Sequence, residues 1–177
     1  MTFRTIRSAF ALALVACVGM TCLAIAGNKS TNGGNRLPFK GCLDGILVSR
    51  TPIAPPVVFD HFEAEGHATH LGRCDIVIEA TVNFGTQPVS GEGTYTFTAA
   101  NGDVLVADFF GSSALVVPGL VLITEYCTVN PDDSTGQFAG AEGEFTVERL
   151  ADAATGVNGE TTGDFDGWIS LRRGKKH

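Results

Sequence analysis

The sequence predicts an all-β fold, a single antiparallel sheet of eight short strands closed into a β-barrel. Three observations predict it. Residues 91–98, 140–147 and 163–170 each open on glycine and a small or acidic residue, then alternate aromatic or β-branched residues with smaller ones. Alternation with a period of two gives a strand one dry face and one wet face. The chain also spends 22 glycines and 12 phenylalanines, against one tryptophan and two methionines, on its 177 residues. That usage suits short strands joined by tight turns. Finally, no stretch repeats apolar residues every 3.6 positions, and charged residues make up only 18% of the chain, which argues against long solvated helices.

In chain order, strands are expected over residues 39–48, 57–64, 74–84, 93–99, 104–110, 120–129, 144–150 and 163–171, spaced as in an all-β barrel. Pro52, Pro55 and Pro56 should hold the first long connection out of regular pairing. In the third strand Ile76, Ile78, Ala80, Val82 and Phe84 share a face opposite Glu79, Thr81 and Asn83. In the fourth, Tyr95, Phe97 and Ala99 oppose Thr94, Thr96 and Thr98. Asn101-Gly102 is placed as the central pair of a type I′ hairpin. Residues 113–120 read as a link. The barrel domain is expected over residues 38–172, after a flexible leader at 27–37 and before a basic tail at 173–177.

The N-terminal segment reads as an export signal. Arg4 and Arg7 precede an apolar run ending in Ala24-Ile25-Ala26, small residues flanking a cut before Gly27. Removal of residues 1–26 leaves a secreted or periplasmic domain with no other segment long and apolar enough to span a membrane. The alternative is a lipobox at Leu14-Val15-Ala16-Cys17, which would acylate Cys17 and anchor the domain at the envelope. Cys42, Cys74 and Cys127 remain after cleavage. Export permits a disulfide among them, but each also lies in an apolar run that would bury a free thiol.

The formal charge of −7 disfavours a phosphate-backbone partner, so no nucleic acid is expected. The basic cluster Arg172, Arg173, Lys175 and Lys176 is confined to the tail. His61, Glu63, Glu65 and His67 share a strand parity and offer metal-ligating groups. At two-residue spacing, however, side chains rarely converge on one ion, and a wet strand face is the simpler reading. His70 has the opposite parity, with Phe62, Ala64 and Ala68. It would act as acid or base if it reached the lumen, or bond a turn carbonyl if it did not. Arg73 is either a ligand clamp or an ion-pair partner. The serines lack the Gly-x-Ser-x-Gly context of a hydrolase elbow, and no phosphate loop or dinucleotide fingerprint occurs, so no cofactor is expected.

Thr69-His70-Leu71-Gly72-Arg73, Phe97 to Asp103 with Ala107-Asp108-Phe109, and Thr135 to Phe145 resemble secreted bacterial proteins with an allene oxide cyclase barrel-like domain. The Gly-x-Phe-x-Gly-Ala-x-Gly pattern is also similar to plant dirigent proteins, which share that barrel. The likeness runs over residues 39–171. It implies an eight-stranded antiparallel barrel, oligomeric in many plant relatives, with phenylalanines packed in or around its lumen. Three functions follow as expectations. The first is a non-catalytic module binding a small apolar ligand or a partner, with Tyr95, Phe97, Phe109, Phe138 and Phe145 as candidate lining. The second is an isomerase or cyclase of the allene oxide cyclase type with His70 or Arg73 at the barrel mouth. The third is a structural surface or envelope protein.

Overall fold

The computed structural model describes residues 36–171. The cleavage residues Ala24, Ala26 and Gly27, the lipobox Cys17 and the tail 173–177 lie outside them. Eight antiparallel strands follow one another: β1 (Leu37–Ala54), β2 (Val57–Ala68), β3 (Gly72–Asn83), β4 (Val89–Ala99), β5 (Val104–Val117), β6 (Leu120–Val129), β7 (Glu142–Asp152) and β8 (Glu160–Ser170). Each pairs with the next, and β8 returns to β1, so the sheet closes and leaves no edge. One 3-10 turn, Gly136–Phe138, interrupts the β6–β7 connection.

Alternation decides which side chains enter the lumen. On β3 the inward set is Cys74, Ile76, Ile78 and Ala80, and on β4 it is Tyr95, Phe97 and Ala99, all buried. The predicted faces therefore hold as far as Ala80, whereas Val82 is half-buried and Phe84, expected on the same face, lies beyond β3 in an exposed turn. Glycines share the inward parity where rings need their space. A Cβ on Gly41 would lie 2.3 Å from the Phe165 ring and 2.2 Å from the His67 carbonyl, so only glycine fits there.

Several strands run further than the sequence suggests. β1 continues through Pro52 to Ala54, pairing Pro52 with Val58, and only Pro55 and Pro56 form the connection. β5 continues to Val117, so most of the expected 113–120 link is strand. Local propensity is weak in both stretches, and the neighbouring strand supplies the ladder. The β4–β5 connection also differs from expectation. Gly102 has φ +85°, whereas Asn101 is not in the positive-φ region. Gly102 N–H donates to the Ala99 carbonyl, and Ala99 N–H donates to that of Asp103. This is a type I turn with a left-handed glycine, and Asn101 Oδ1 accepts from Asp103 N–H at 3.1 Å instead of Asn101 taking a positive φ.

The two ends of the barrel are built differently. At the end where the described chain starts and stops, Phe39, Phe97, Phe145 and Phe165 pack edge-on or tilted, with centroids 5.0–6.0 Å apart. The long β6–β7 connection folds back along β5 there. Thr135 N–H donates to the Val104 carbonyl, Val106 N–H donates to Ser134 Oγ, and Phe138 is fully buried in the core. The other end carries the β1–β2, β3–β4, β5–β6 and β7–β8 connections and is open.

Candidate functional site

The site at the open end begins with an irregularity in β1. Its pairing with β2 runs in step to Leu47, slips by one residue, and resumes at Ser49 opposite His61. A one-residue bulge reverses parity, because side chains alternate with a period of two. Arg50, which unbroken alternation would send to the outer face, therefore lies opposite Asp60 and turns toward the lumen. Arg50 Nε and Nη2 donate to the two Asp60 oxygens at 2.7 and 2.6 Å. Asp60 is only 2% exposed, and its hydrogen bonds raise the pKa of Arg50 further.

A second ion pair lies deeper. Glu125 on β6 and Arg149 on β7 keep the inward parity of their strands, between Ile123 and Cys127 and between Val147 and Ala151. Both are buried, 2% and 3% exposed. Arg149 Nε donates to Glu125 Oε2 at 3.0 Å and Nη2 to Oε1 at 2.9 Å, a bidentate fork. Arg149 Nη1 donates to Thr161 Oγ1 at 3.2 Å, and Tyr95 O–H donates to Glu125 Oε2 in a short hydrogen bond. Arg149 also lies 4.6 Å from the Phe62 ring centroid, over its face. No buried side-chain nitrogen or oxygen among the described residues lacks a partner.

The electrostatics follow from this placement. Burial by itself would lower the pKa of Arg149, but the Glu125 carboxylate and the Tyr95 hydroxyl outweigh it, and the guanidinium stays charged. Burial, then the Glu125 charge, pushes Tyr95 well above the usual phenol value. Burial likewise raises the Cys74 thiol to about 11, and the Cys127 thiol higher still.

Above the Glu125–Arg149 pair is a cavity of about 190 Å³. Its walls are mostly apolar and include Leu47, Phe62, Val82, Phe109 and Ile123, and Arg50, Asp60, Glu125 and Arg149 supply charge. A dry cavity of about 150 Å³ holds a benzene ring. This one therefore has room for a ring or a short alkyl segment. Arg50 is balanced by Asp60 and Arg149 by Glu125, and Asp152 leaves the lining with one negative charge in excess. None of the three described histidines lines it. The arrangement offers hydrogen-bond acceptors and a fixed field at the floor of an apolar pocket, without a nucleophile set against a base.

The sequence candidates are placed elsewhere, with one exception. Phe109 lines the cavity. Tyr95 lies beneath it and meets it only through Glu125, Phe97 and Phe145 belong to the packed aromatic cluster, and Phe138 closes the opposite end. His70 is also at the closed end. β2 stops at Ala68, so His70 falls in an exposed turn at φ +71°, where its ring nitrogen bonds the Pro38 carbonyl at 3.1 Å. Arg73 is exposed and pairs with Glu65 at 2.6 Å. His61, Glu63, Glu65 and His67 do share the outer face of β2. They form a row along the strand, and among the described residues no group of three ligating side chains is placed to hold a metal ion. Cys74 and Cys127 are buried free thiols, whereas Cys42 faces outward, and none of the three forms a disulfide.

Glu125, Arg149 and Asp60 were legible in principle. Each is a charged residue at the parity of its strand's apolar side chains, a position that requires a partner inside the barrel. Arg50 was not legible, because the bulge that turns it inward leaves no mark in the alternation. No protein-family model, no curated protein and no solved structure matches the chain.

Proposed function

We propose that this protein is an exported barrel that binds a small, largely apolar ligand at its open end. The observation that supports the reading most is the asymmetry of the lumen. One half is filled by interlocking rings, and the other is a cavity of about 190 Å³ with a fully bonded ion pair for a floor. A barrel built only for stability gains by filling its interior. Apolar walls with a few fixed polar groups are the usual make-up of a small-molecule site. Export, through the leader expected at residues 1–26 or through lipidation at Cys17, belongs to the same reading, as does the likeness to the allene oxide cyclase barrel-like family. An isomerase or cyclase is the second reading. What favours it is the Tyr95–Glu125–Arg149 network, which would hold a polar group of a substrate and shape the charge around it. Self-association has one support, the outward rings of Phe110 and Tyr126, tilted against each other with centroids 5.5 Å apart on an exposed face.

Gly91 allows a direct test. It lines the cavity, and a Cβ there would meet nothing closer than 3.7 Å. Gly91→Leu should fold as the parent does and fill the space. A neutral fluorescent probe such as N-phenyl-1-naphthylamine should bind the parent at one site and Gly91→Leu about tenfold more weakly or worse. Equal binding by both would refute a ligand site in this cavity.

A further inference from the structure

The four connections at the open end share a property that ligand binding alone does not require. Each presents a large apolar side chain to solvent, from the connection itself or from the strand end leading into it: Ile53 from the end of β1, Phe84 from β3–β4, Leu115 with Val116 and Val117 from the end of β5, and Val157 from β7–β8. Leu115 is 68% exposed and Ile53 60%. The connections at the closed end, residues 69–71, 100–103 and 130–141, present no large exposed apolar side chain, and they carry His70, Asp103, Asp132 and Asp133. Across residues 51–58, 83–90, 112–123 and 151–159 there is a single charge, Asp152. Its carboxylate is turned back onto the N–H groups of Ala154 and Thr155.

The polar groups of this rim are also largely spoken for. Thr86 Oγ1 donates to the Asn83 carbonyl and accepts from Ser90 N–H, and Asn83 Oδ1 accepts from Gly85 N–H. Between neighbouring connections, Phe84 N–H donates to the Pro56 carbonyl and Ala153 N–H to that of Gly119. Pro52, Pro55, Pro56, Pro88 and Pro118, of the seven prolines in the chain, lie here and have no N–H to strip of water. A protein partner is held in register by directional hydrogen bonds and a polar rim. This ring offers few of either, chiefly the exposed Gln87 and Asn158 side chains. It offers mainly apolar tips on connections that bond much of their own backbone, which is what a low-polarity environment demands.

We infer that the open end of the barrel docks on a lipid surface, with the four apolar connections entering the interface around the cavity mouth. The surface is an uncharged, zwitterionic one, because Arg50, the cation beside the Phe84 tip, is held by both oxygens of Asp60, and the acidic body would be repelled by anionic headgroups. An acyl chain or other lipid-soluble molecule could then pass from the bilayer into the lumen without crossing water. That last step rests on the proposed ligand site, whereas docking does not.

Docking is read from the rim itself with the full chain. Leu115→Trp in a Trp168→Phe background puts the sole tryptophan at a tip, outside the cavity lining. With phosphatidylcholine vesicles carrying brominated acyl chains, its emission should shift to the blue and be quenched, and added salt should not reverse this. Adding Ile53→Asn and Val157→Asn, which also leave the lining intact, should weaken vesicle partition about tenfold without changing probe binding. Gly91→Leu should dock normally, so that loss of the ligand site and loss of docking are separate results. An unquenched reporter overturns the inference. So does quenching that needs phosphatidylserine and vanishes with salt. Sedimentation showing a dimer that the tip substitutions disperse would assign the ring to a second copy of the chain instead.

Discussion

The two ends of this barrel solve the same problem, filling a tube, with opposite chemistry. The closed end fills it with rings. Phe39, Phe97, Phe145 and Phe165 meet edge to face, and Gly41 gives up its side chain so that Phe165 can reach the wall. Such packing contributes through area and complementarity, and it leaves no room for a ligand. The open end stops short of filling. It floors the tube with Glu125 and Arg149, from the neighbouring strands β6 and β7, and leaves a space above them. A buried pair of this kind is a weak source of net stability, because desolvating both ions offsets most of their attraction. The difference teaches that the ion pair is best understood as the floor of a cavity, a polar surface kept dry by the walls, rather than as a staple.

Breaking that floor should have the largest effect. Arg149→Met strands the Glu125 carboxylate and should cost about 3–5 kcal/mol, read as a fall in the midpoint of urea unfolding. The double substitution Glu125→Leu with Arg149→Met should recover most of this, to within about 1 kcal/mol of the parent. At the closed end Phe97→Ala should cost a similar ~3–5 kcal/mol through the cavity it leaves, with no second substitution at hand to restore it. If the double variant is no better than the single, the distinction between the two ends fails.

Tyr95 joins the two layers, with its ring in the aromatic stack and its hydroxyl on Glu125. Its pKa in the folded state lies above the unfolded value of about 10, so the folded state holds the phenolic proton more tightly. The corresponding stability is complete below about pH 10 and is lost as pH rises toward the folded pKa. Tyr95→Phe should lose about 1 kcal/mol at neutral pH and show a flatter stability profile above pH 10. An unchanged alkaline limb would mean that another group drives it.

The smallest effects are expected at the residues the sequence marked as catalytic candidates. His70→Ala and Arg73→Ala sit at the closed end on exposed positions and should each change stability by about 0.5 kcal/mol or less. Neither should alter probe affinity at the open end. A loss of binding in either would require a path through the packed aromatic core.

Read without its structure, the chain already states its architecture. The alternation in residues 74–84 and 93–99 assigns Ile76, Ile78, Tyr95 and Phe97 to one face, and all four are buried there. Eight such segments in one antiparallel order are enough to expect closure, since a twisted sheet with a greasy side buries it most completely by curling on itself. The site was far less legible. Glu125 and Arg149 lie 24 residues apart, on strands whose register is fixed by ladder pairing, and only the pairing of Glu125 with Val147 shows how near they come. Unbroken alternation would turn Arg50 outward, and the bulge after Leu47 reverses its direction. For His70 the sequence left the lumen and a turn carbonyl open, and the end of β2 two residues before it decides for the turn.

Side-chain alternation is local and survives in the sequence, so the sequence alone determined the strands, their dry faces and the closed sheet. Where a strand slips, where it ends and which charges then meet inside the lumen depend on contacts between distant segments. The tertiary structure alone therefore decided that one end is sealed by rings and the other left open over an ion pair.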